Sequence, residues 1–165
     1  RHSQHLAQSG QALGQFATGV TVITTRTEDG RSIGLTANSF NSLSLDPALV
    51  LWSLGVAQSS SSAFRNGSHF AINILAAGQM ELSRRFSSPV ADRFEGVDCL
   101  QEGLAAPLIA GCAAWLICRQ RQHTQIGDHL LFIGEVEVLG VGQEAPLLFH
   151  DGRYAFAHAA PAANA

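Results

Sequence analysis

The sequence predicts a mainly β protein, an antiparallel barrel or sandwich with short helices at its edges. Three observations predict it. Short runs of β-branched and aromatic residues recur along the chain, as in Val20 to Thr25 and Phe70 to Leu75. Hairpin-length turns separate them, at Glu28-Asp29-Gly30, Gly127-Asp128 and Asp151-Gly152. Strands do not alternate with long helices, and no glycine-rich phosphate loop opens a helix, so a doubly wound dinucleotide fold is excluded.

The elements follow in order. Leu6, Leu13 and Phe16, with Ala12 and Ala17, fit a short amphipathic helix before Thr18-Gly19. Val20 to Thr25 is a strand, and Ser32 to Ala37 returns from it across the Gly30 turn. The stretch from Asn38 to Asp46-Pro47 is small and polar and reads as a loop, before a buried strand from Leu49 to Leu54. Ser59 to Phe64 is a polar loop entering a short helix that Asn66-Gly67 closes. Phe70 to Leu75 is a strand. Gln79 to Phe86 is helical, with Met80, Leu82 and Phe86 available for packing.

Gly96, Gly103 and Pro107 break the stretch from Asp92 to Pro107 into irregular chain. Cys112 to His123 is a long strand whose face leaves the core where Arg119 and Arg121 follow Trp115 and Ile117. Leu130 to Leu139 places Phe132, Val136 and Val138 inward and Glu135 and Glu137 outward. Pro146 to His150 and Arg153 to Ala157 flank the last turn. Trp52 and Trp115 lie in strands and read as core or interface residues. No repeat or internal boundary appears, so residues 1–158 form a single domain and 159–165 a low-complexity tail.

At 165 residues the chain can bury a real core. Charged residues make up only 14%, against about 25% in soluble domains generally. Fewer charges leave less material to cover a surface, which points to a large buried interface, most simply a homodimer. A net charge of −3 gives no basic footprint for nucleic acid. Lysine is absent, so every basic side chain is an arginine. Cys99, Cys112 and Cys118 are odd in number and lack Cys-x-x-Cys spacing, which suits reduced thiols in a cytoplasmic setting. No apolar run is long enough to span a membrane, and the first residues lack a signal-peptide core.

Serines and histidines abound, but no Gly-x-Ser-x-Gly elbow marks a hydrolase nucleophile. The histidines are not spaced as a metal site. Two segments suit an anion: the hydroxyls of Ser59 to Ser62 at a helix start, and the paired guanidinium groups of Arg84 and Arg85 beside Phe86. Thr36 to Ser39 is a run of small residues that lets a flat ring approach the backbone. A ring against backbone with a phosphate tail among hydroxyls and arginines suits a flavin nucleotide.

The chain resembles the flavin reductase domain family. The resemblance runs from Phe16 to Tyr154 on ordered motifs: Phe16-Ala17-Thr18-Gly19-Val20-Thr21-Val22, Gly34-Leu35-Thr36-Ala37-Asn38-Ser39-Phe40, Ser44-Leu45-Asp46-Pro47, Phe70 to Leu75, Leu82-Ser83-Arg84-Arg85-Phe86, Asp92-Arg93-Phe94, Gly127-Asp128-His129 and Gly152-Arg153-Tyr154. It implies a homodimeric, antiparallel Greek-key split β-barrel with short peripheral helices. It also implies an NAD(P)H:flavin oxidoreductase that passes hydride from NADH or NADPH to FMN or FAD and supplies reduced flavin to a partner oxygenase. By position, Thr36, Ala37, Asn38 and Ser39 would line the isoalloxazine ring, with Ser53 and Leu54 nearby. Ser59 and Ser60, with Arg84, Arg85 and Phe86, would hold the ribityl phosphate region. His129 would lie at the flavin and nicotinamide site as the catalytic residue, and Tyr154 close to the same pocket. No metal is implied. Two rival readings share the fold: a flavin-dependent ferric or cobalt reductase, and a flavin-binding module without activity of its own.

Overall fold

The computed structural model describes residues 2–100 and 104–163, with side chains from residue 7 onward. The expectations for Leu6 as a packing residue, for 101–103 in the irregular stretch and for 164–165 in the tail lie outside the described residues. Among the described residues three helices, α1 (His2–Gly14), α2 (Ser61–Asn66) and α3 (Met80–Arg85), accompany ten strands. These are β1 (Thr18–Gly19), β2 (Thr21–Arg26), β3 (Ser32–Ala37), β4 (Asn41–Leu45), β5 (Ala48–Gly55), β6 (His69–Ile74), β7 (Ala114–Ile126), β8 (His129–Val141), β9 (Leu147–His150) and β10 (Arg153–Phe156).

Seven strands form one antiparallel sheet in the order β3-β2-β6-β7-β8-β5-β4, and β1-β9-β10 form a small second sheet. The two edges of the large sheet, β3 and β4, are joined only by Asn38, Ser39 and Phe40. Laid flat, six gaps of about 4.8 Å would hold those edges roughly 29 Å apart, whereas the chain from Ala37 to Asn41 reaches about 15 Å at most. The sheet therefore curls until its edges approach.

Alternation along β2 shows how the core is divided. Ile23 faces a cluster with Leu35, Trp52, Phe64, Phe70 and Phe132, inside the curl. Val20 and Val22 face a second cluster with Leu75, Phe86, Ile109 and Leu147, where α3 and the small sheet cover the outside. Both faces of β2 are thus buried, and Thr21 to Thr25 read as a continuous buried run. Trp52 stacks on Phe132 with centroids 4.6 Å apart and meets Phe64 and Phe70 edge-on, so it is a core residue as expected. Asn73, fully buried, donates to the Val22 carbonyl (3.0 Å) and accepts from the Ile109 amide (2.8 Å), pinning the loop before β7 against the sheet.

Three expectations need correction. The polar stretch after Ala37 is mostly a strand: Asn41 to Leu45 pair with β5 as the outer edge of the sheet, leaving only three residues as loop. Val138 is exposed rather than inward, because the ladder between β7 and β8 shifts register at Ile117/Cys118 and breaks the alternation before it. The first helix forms, but Leu13 in it and Phe16 just after it lie three-quarters exposed, so these two side chains do not pack on this chain. The turns fall where glycine allows positive φ, at Gly30, Gly127 and Gly152. Residues 159–163 carry no regular structure.

Candidate functional site

The three-residue link between the sheet edges is held by a side chain. Ser39 Oγ donates to the Ser53 carbonyl (2.9 Å) and accepts from the Ser53 amide (3.0 Å). Ser53 and Gly55 face outward from β5 while Trp52 and Leu54 face the core. In the β5–β8 register Ser53 opposes Leu131 and Gly55 opposes His129. His129 therefore stands one pleat repeat, about 7 Å, along the sheet from Ser53 and on the same face. Asn38, exposed beside Ser39, has no hydrogen-bond partner among the described residues.

His129 begins β8 directly after the Gly127 turn. Its Nδ1 lies 2.8 Å from Asp128 Oδ1, and that bond holds the Asp128 carboxyl below the usual carboxylate range. The Asp128 carbonyl also accepts from the Val56 amide (3.0 Å), which ties the turn to the end of β5. A carboxylate accepting from Nδ1–H leaves Nε2 as the exposed functional atom of a half-exposed ring.

The end of β3 is fastened to α3. Thr36 donates its amide to the Phe86 carbonyl (3.1 Å) and its hydroxyl to the Ser83 carbonyl (2.7 Å). Ser83 is buried, and its Oγ lies 2.7 Å from the Tyr154 hydroxyl. Arg84 pairs with Glu81 and its guanidinium sits 5.5 Å over the Tyr154 ring. Arg85 donates to the carbonyls of Arg93 (2.6 Å) and Asp92 (2.8 Å). Phe86 is fully buried and packs edge-on against Phe94 at 4.9 Å.

Beside this lies a cleft of about 800 Å³ lined by Ser59, Ser60, Arg31, Gly34, Arg93 and Phe94, among others. Ser60 precedes α2 without using its side chain as a cap, so its hydroxyl is unspent. The Arg31 guanidinium faces the charge of the Asp29 carboxylate, which the Thr27 hydroxyl and, to a smaller extent, Arg31 hold below the usual carboxylate range. Arg93 donates to the carbonyls of Gly34 (2.9 Å) and Ser88 (3.0 and 2.9 Å), and burial lowers its affinity for the proton.

The structure thus divides the residues expected from sequence. Ser39, Ser53 and His129 come together, and exposed Asn38 precedes Ser39 in the chain. Ser59 and Ser60 line the cleft, but the cations facing them are Arg31 and Arg93 rather than Arg84 and Arg85. Thr36, Phe86 and Tyr154 are tied into the support around Ser83. Leu54 points into the core, and Ala37 packs against it. Sequence reasoning missed Arg31, Arg93 and Ser83. Arg93 and Ser83 lay within quoted motifs, and Arg31 follows the β2–β3 turn, where only the fold shows what it faces. No His, Cys, Asp or Glu cluster among the described residues could hold a metal, and no described helix is long and apolar enough to cross a membrane.

Residues 13–158 match the model of the flavin reductase like domain. The chain belongs to that family. Among its relatives, the reductase component of a flavin-dependent trigonelline monooxygenase from Acinetobacter baylyi is 45% identical over 143 residues, covering 87% of this chain and 46% of the relative. An FMN reductase (NADH) from Agrobacterium fabrum is 42% identical, covering 87% of this chain and 81% of that one. An NADH:FAD oxidoreductase of Streptomyces globisporus, solved with NAD and FAD fragments, superposes with a TM-score of 0.87 at 37% identity, covering 98% of this chain and 96% of that one. The chain spans about half the length of several curated relatives, 46%, 55% and 40% of them. The flavin reductase like match takes in both the Ser39–Ser53–His129 face and the Ser59–Ser60 cleft.

Proposed function

We propose that this flavin reductase family member is an NAD(P)H-dependent reductase of FMN or FAD that supplies reduced flavin to a partner monooxygenase. The observation that carries the reading is the outward face of Ser39, Ser53 and His129, together with a cleft that carries the Ser59 and Ser60 hydroxyls and the cations Arg31 and Arg93, in a chain of this family. Such a surface fits a flat ring read by backbone and small side chains, with its phosphate among cations. Family relatives named as NADH-dependent FMN and FAD reductases and as monooxygenase reductase components support the direction of electron flow and the oxygenase partner.

A bound flavin would supply the hydride-accepting ring. The chain's own residues bind and orient. Asn38 offers a free amide at the edge of the ring site, and the Ser39–Ser53 bonds keep that edge fixed. His129, held at Nδ1 by Asp128, presents Nε2 to accept a hydrogen bond from a carboxamide or to exchange a proton. The fold we assign is an antiparallel Greek-key split barrel, supported by the curl of the large sheet. A homodimer is supported by exposed apolar residues on the β4 edge and the end of β8: Leu43, Leu45, Val138, Leu139 and Val141.

Steady-state oxidation of NADH and NADPH with FMN, FAD and riboflavin in turn tests this reading. Turnover that scales with added flavin supports it. A yellow protein without NADH or NADPH oxidation would make the chain a flavin-binding module, and metal reduction without diffusible flavin would make it a metal reductase.

A further inference from the structure

Away from His129 and Ser53, three side chains on the β6–β7–β8 part of the large sheet form a hydrogen-bonded relay. The Ser68 hydroxyl lies 2.8 Å from His69 Nδ1, and His69 Nε2 lies 2.5 Å from Glu137 Oε1. His69 opens β6 and Glu137 stands on β8, so the pair reaches across β7. The carboxylate accepts from Nε2–H, which leaves Nδ1 without a proton and able to take one from the serine. A hydroxyl bonded to one ring nitrogen, with the other ring nitrogen held by a carboxylate, is the arrangement of an activated nucleophile.

The surroundings keep the relay in place. The Gln120 amide donates to the Ser68 carbonyl (2.8 Å) and the Gln120 side chain to the Gly67 carbonyl (2.6 Å), which fixes the backbone beneath the hydroxyl. Arg119 opposes His69 in the β6–β7 ladder, but its guanidinium donates to Glu135 (3.1 Å), so Glu137 is left to the imidazole. Ser68 is exposed, and with His69 it lines a cleft of about 660 Å³. Asn66 lines the same cleft, and its amide supplies N–H donors for an oxygen that gains charge. The sequence carries no nucleophile elbow, and Ser68 is found only because the fold brings Glu137 to its neighbour.

We propose that Ser68, His69 and Glu137 form a second catalytic site, one that hydrolyses small carboxylic esters with the acyl group carried on Ser68. Ser68 Oγ bonds to the carbonyl carbon while its proton passes to His69 Nδ1. The bond from that carbon to the leaving alkoxy oxygen breaks, and the alcohol departs with the proton from Nδ1. A water, giving its proton to the same nitrogen, then adds to the acyl carbon. The carboxylic acid leaves, and Ser68 regains its proton from Nδ1. The sum is ester and water to acid and alcohol, with no electron gained or lost. Glu137 touches no reacting atom. It is a positioning residue that orients the ring and faces the imidazolium charge. None of these steps uses flavin, so the inference stands or falls apart from the reductase reading.

Two experiments on the full chain test it. Wild type is labelled with a fluorophosphonate and its peptides are weighed by mass spectrometry. Hydrolysis of p-nitrophenyl acetate is followed in wild type, Ser68→Ala, His69→Gln and Glu137→Gln, with thermal melting of each variant to separate loss of the site from loss of the fold. The label is expected on Ser68, and kcat/KM is expected to fall about a hundredfold in both Ser68→Ala and His69→Gln. Glu137→Gln should lower kcat rather than raise KM, and Glu137→Asp should restore part of it, whereas a carboxylate that only clasped β6 to β8 would move the melting temperature alone. No hydrolysis above the buffer rate, no label, or label on another residue overturns the proposal. Hydrolysis lost in His69→Gln but kept in Ser68→Ala also overturns it, because His69 would then act without an acyl-serine.

Discussion

The Ser39 hydroxyl satisfies both backbone groups of Ser53, donating to its carbonyl at 2.9 Å and accepting from its amide at 3.0 Å. One side chain thereby takes the place of a neighbouring strand at the point where the curled sheet closes. Ser39→Ala would leave two part-buried backbone groups without a partner, at a cost of about 1–3 kcal/mol. Urea denaturation should show a lower midpoint, and flavin affinity should fall with it. An unchanged midpoint would mean that water replaces the hydroxyl without loss.

Gly34 has room for nothing larger. A Cβ there would lie 2.8 Å from Phe86 Cε1 and 3.2 Å from Phe94 Cζ, two rings already packed edge-on. Gly34→Ala forces one ring off its rotamer and should destabilise the fold by about 1–3 kcal/mol. Because Gly34 also lines the cleft, the variant should bind flavin more weakly than its stability loss alone explains. Equilibrium unfolding and flavin titration on the same preparation separate the two effects.

Much of this was legible in the sequence. The β-branched run of β2, the Gly30, Gly127 and Gly152 turns and the short α2 and α3 announce themselves through residue type and spacing. β4 was hidden because Asn41, Ser42 and Ser44 are polar and Leu43 and Leu45 are themselves exposed, so no apolar alternation marks it and only pairing with β5 makes it a strand. Val138 misled because a register shift is a property of two strands, not one. Motif order singled out Ser59, Ser60 and His129, which the structure places on the cleft and on the Ser53 face. The engagement of Arg85 could not be read, since its partners Asp92 and Arg93 return to it through an irregular loop whose path no local rule fixes, while Arg84 pairs with Glu81 in its own helix.

Burial pushes the Cys118 thiol up to about 12 and the Cys112 thiol up to about 11. Both are raised above their unfolded values, so the stability they contribute is complete below about pH 8.5. It is lost as pH rises from there through 11 and 12, because only the unfolded chain releases the protons, at up to about 1.4 kcal/mol per thiol per pH unit. Denaturation midpoints should therefore fall between pH 9 and 11, and Cys118→Ala should flatten part of that slope. A slope identical in the variant would assign the alkaline loss to other groups.

His129 is half exposed, and its side-chain hydrogen bond is to Asp128, also on the surface. His129→Ala should keep the fold, with a melting temperature within a few degrees of wild type, since exposed substitutions usually change stability by less than about 0.5 kcal/mol. It should slow flavin reduction or raise the KM for NADH by about ten- to a hundredfold, the range of a positioned acid–base or orienting group. Rapid mixing that shows wild-type reduction rates and NADH dependence would remove His129 from the site.

The most direct measurement of the central claim is anaerobic single turnover: protein loaded with FMN or FAD, mixed with NADH, and followed by loss of the oxidised-flavin absorbance. The account predicts full bleaching at a rate that saturates with NADH and that falls when Ser39 or His129 is replaced. A flavin that binds but stays oxidised in the presence of both NADH and NADPH, or a protein that binds neither flavin, would contradict it.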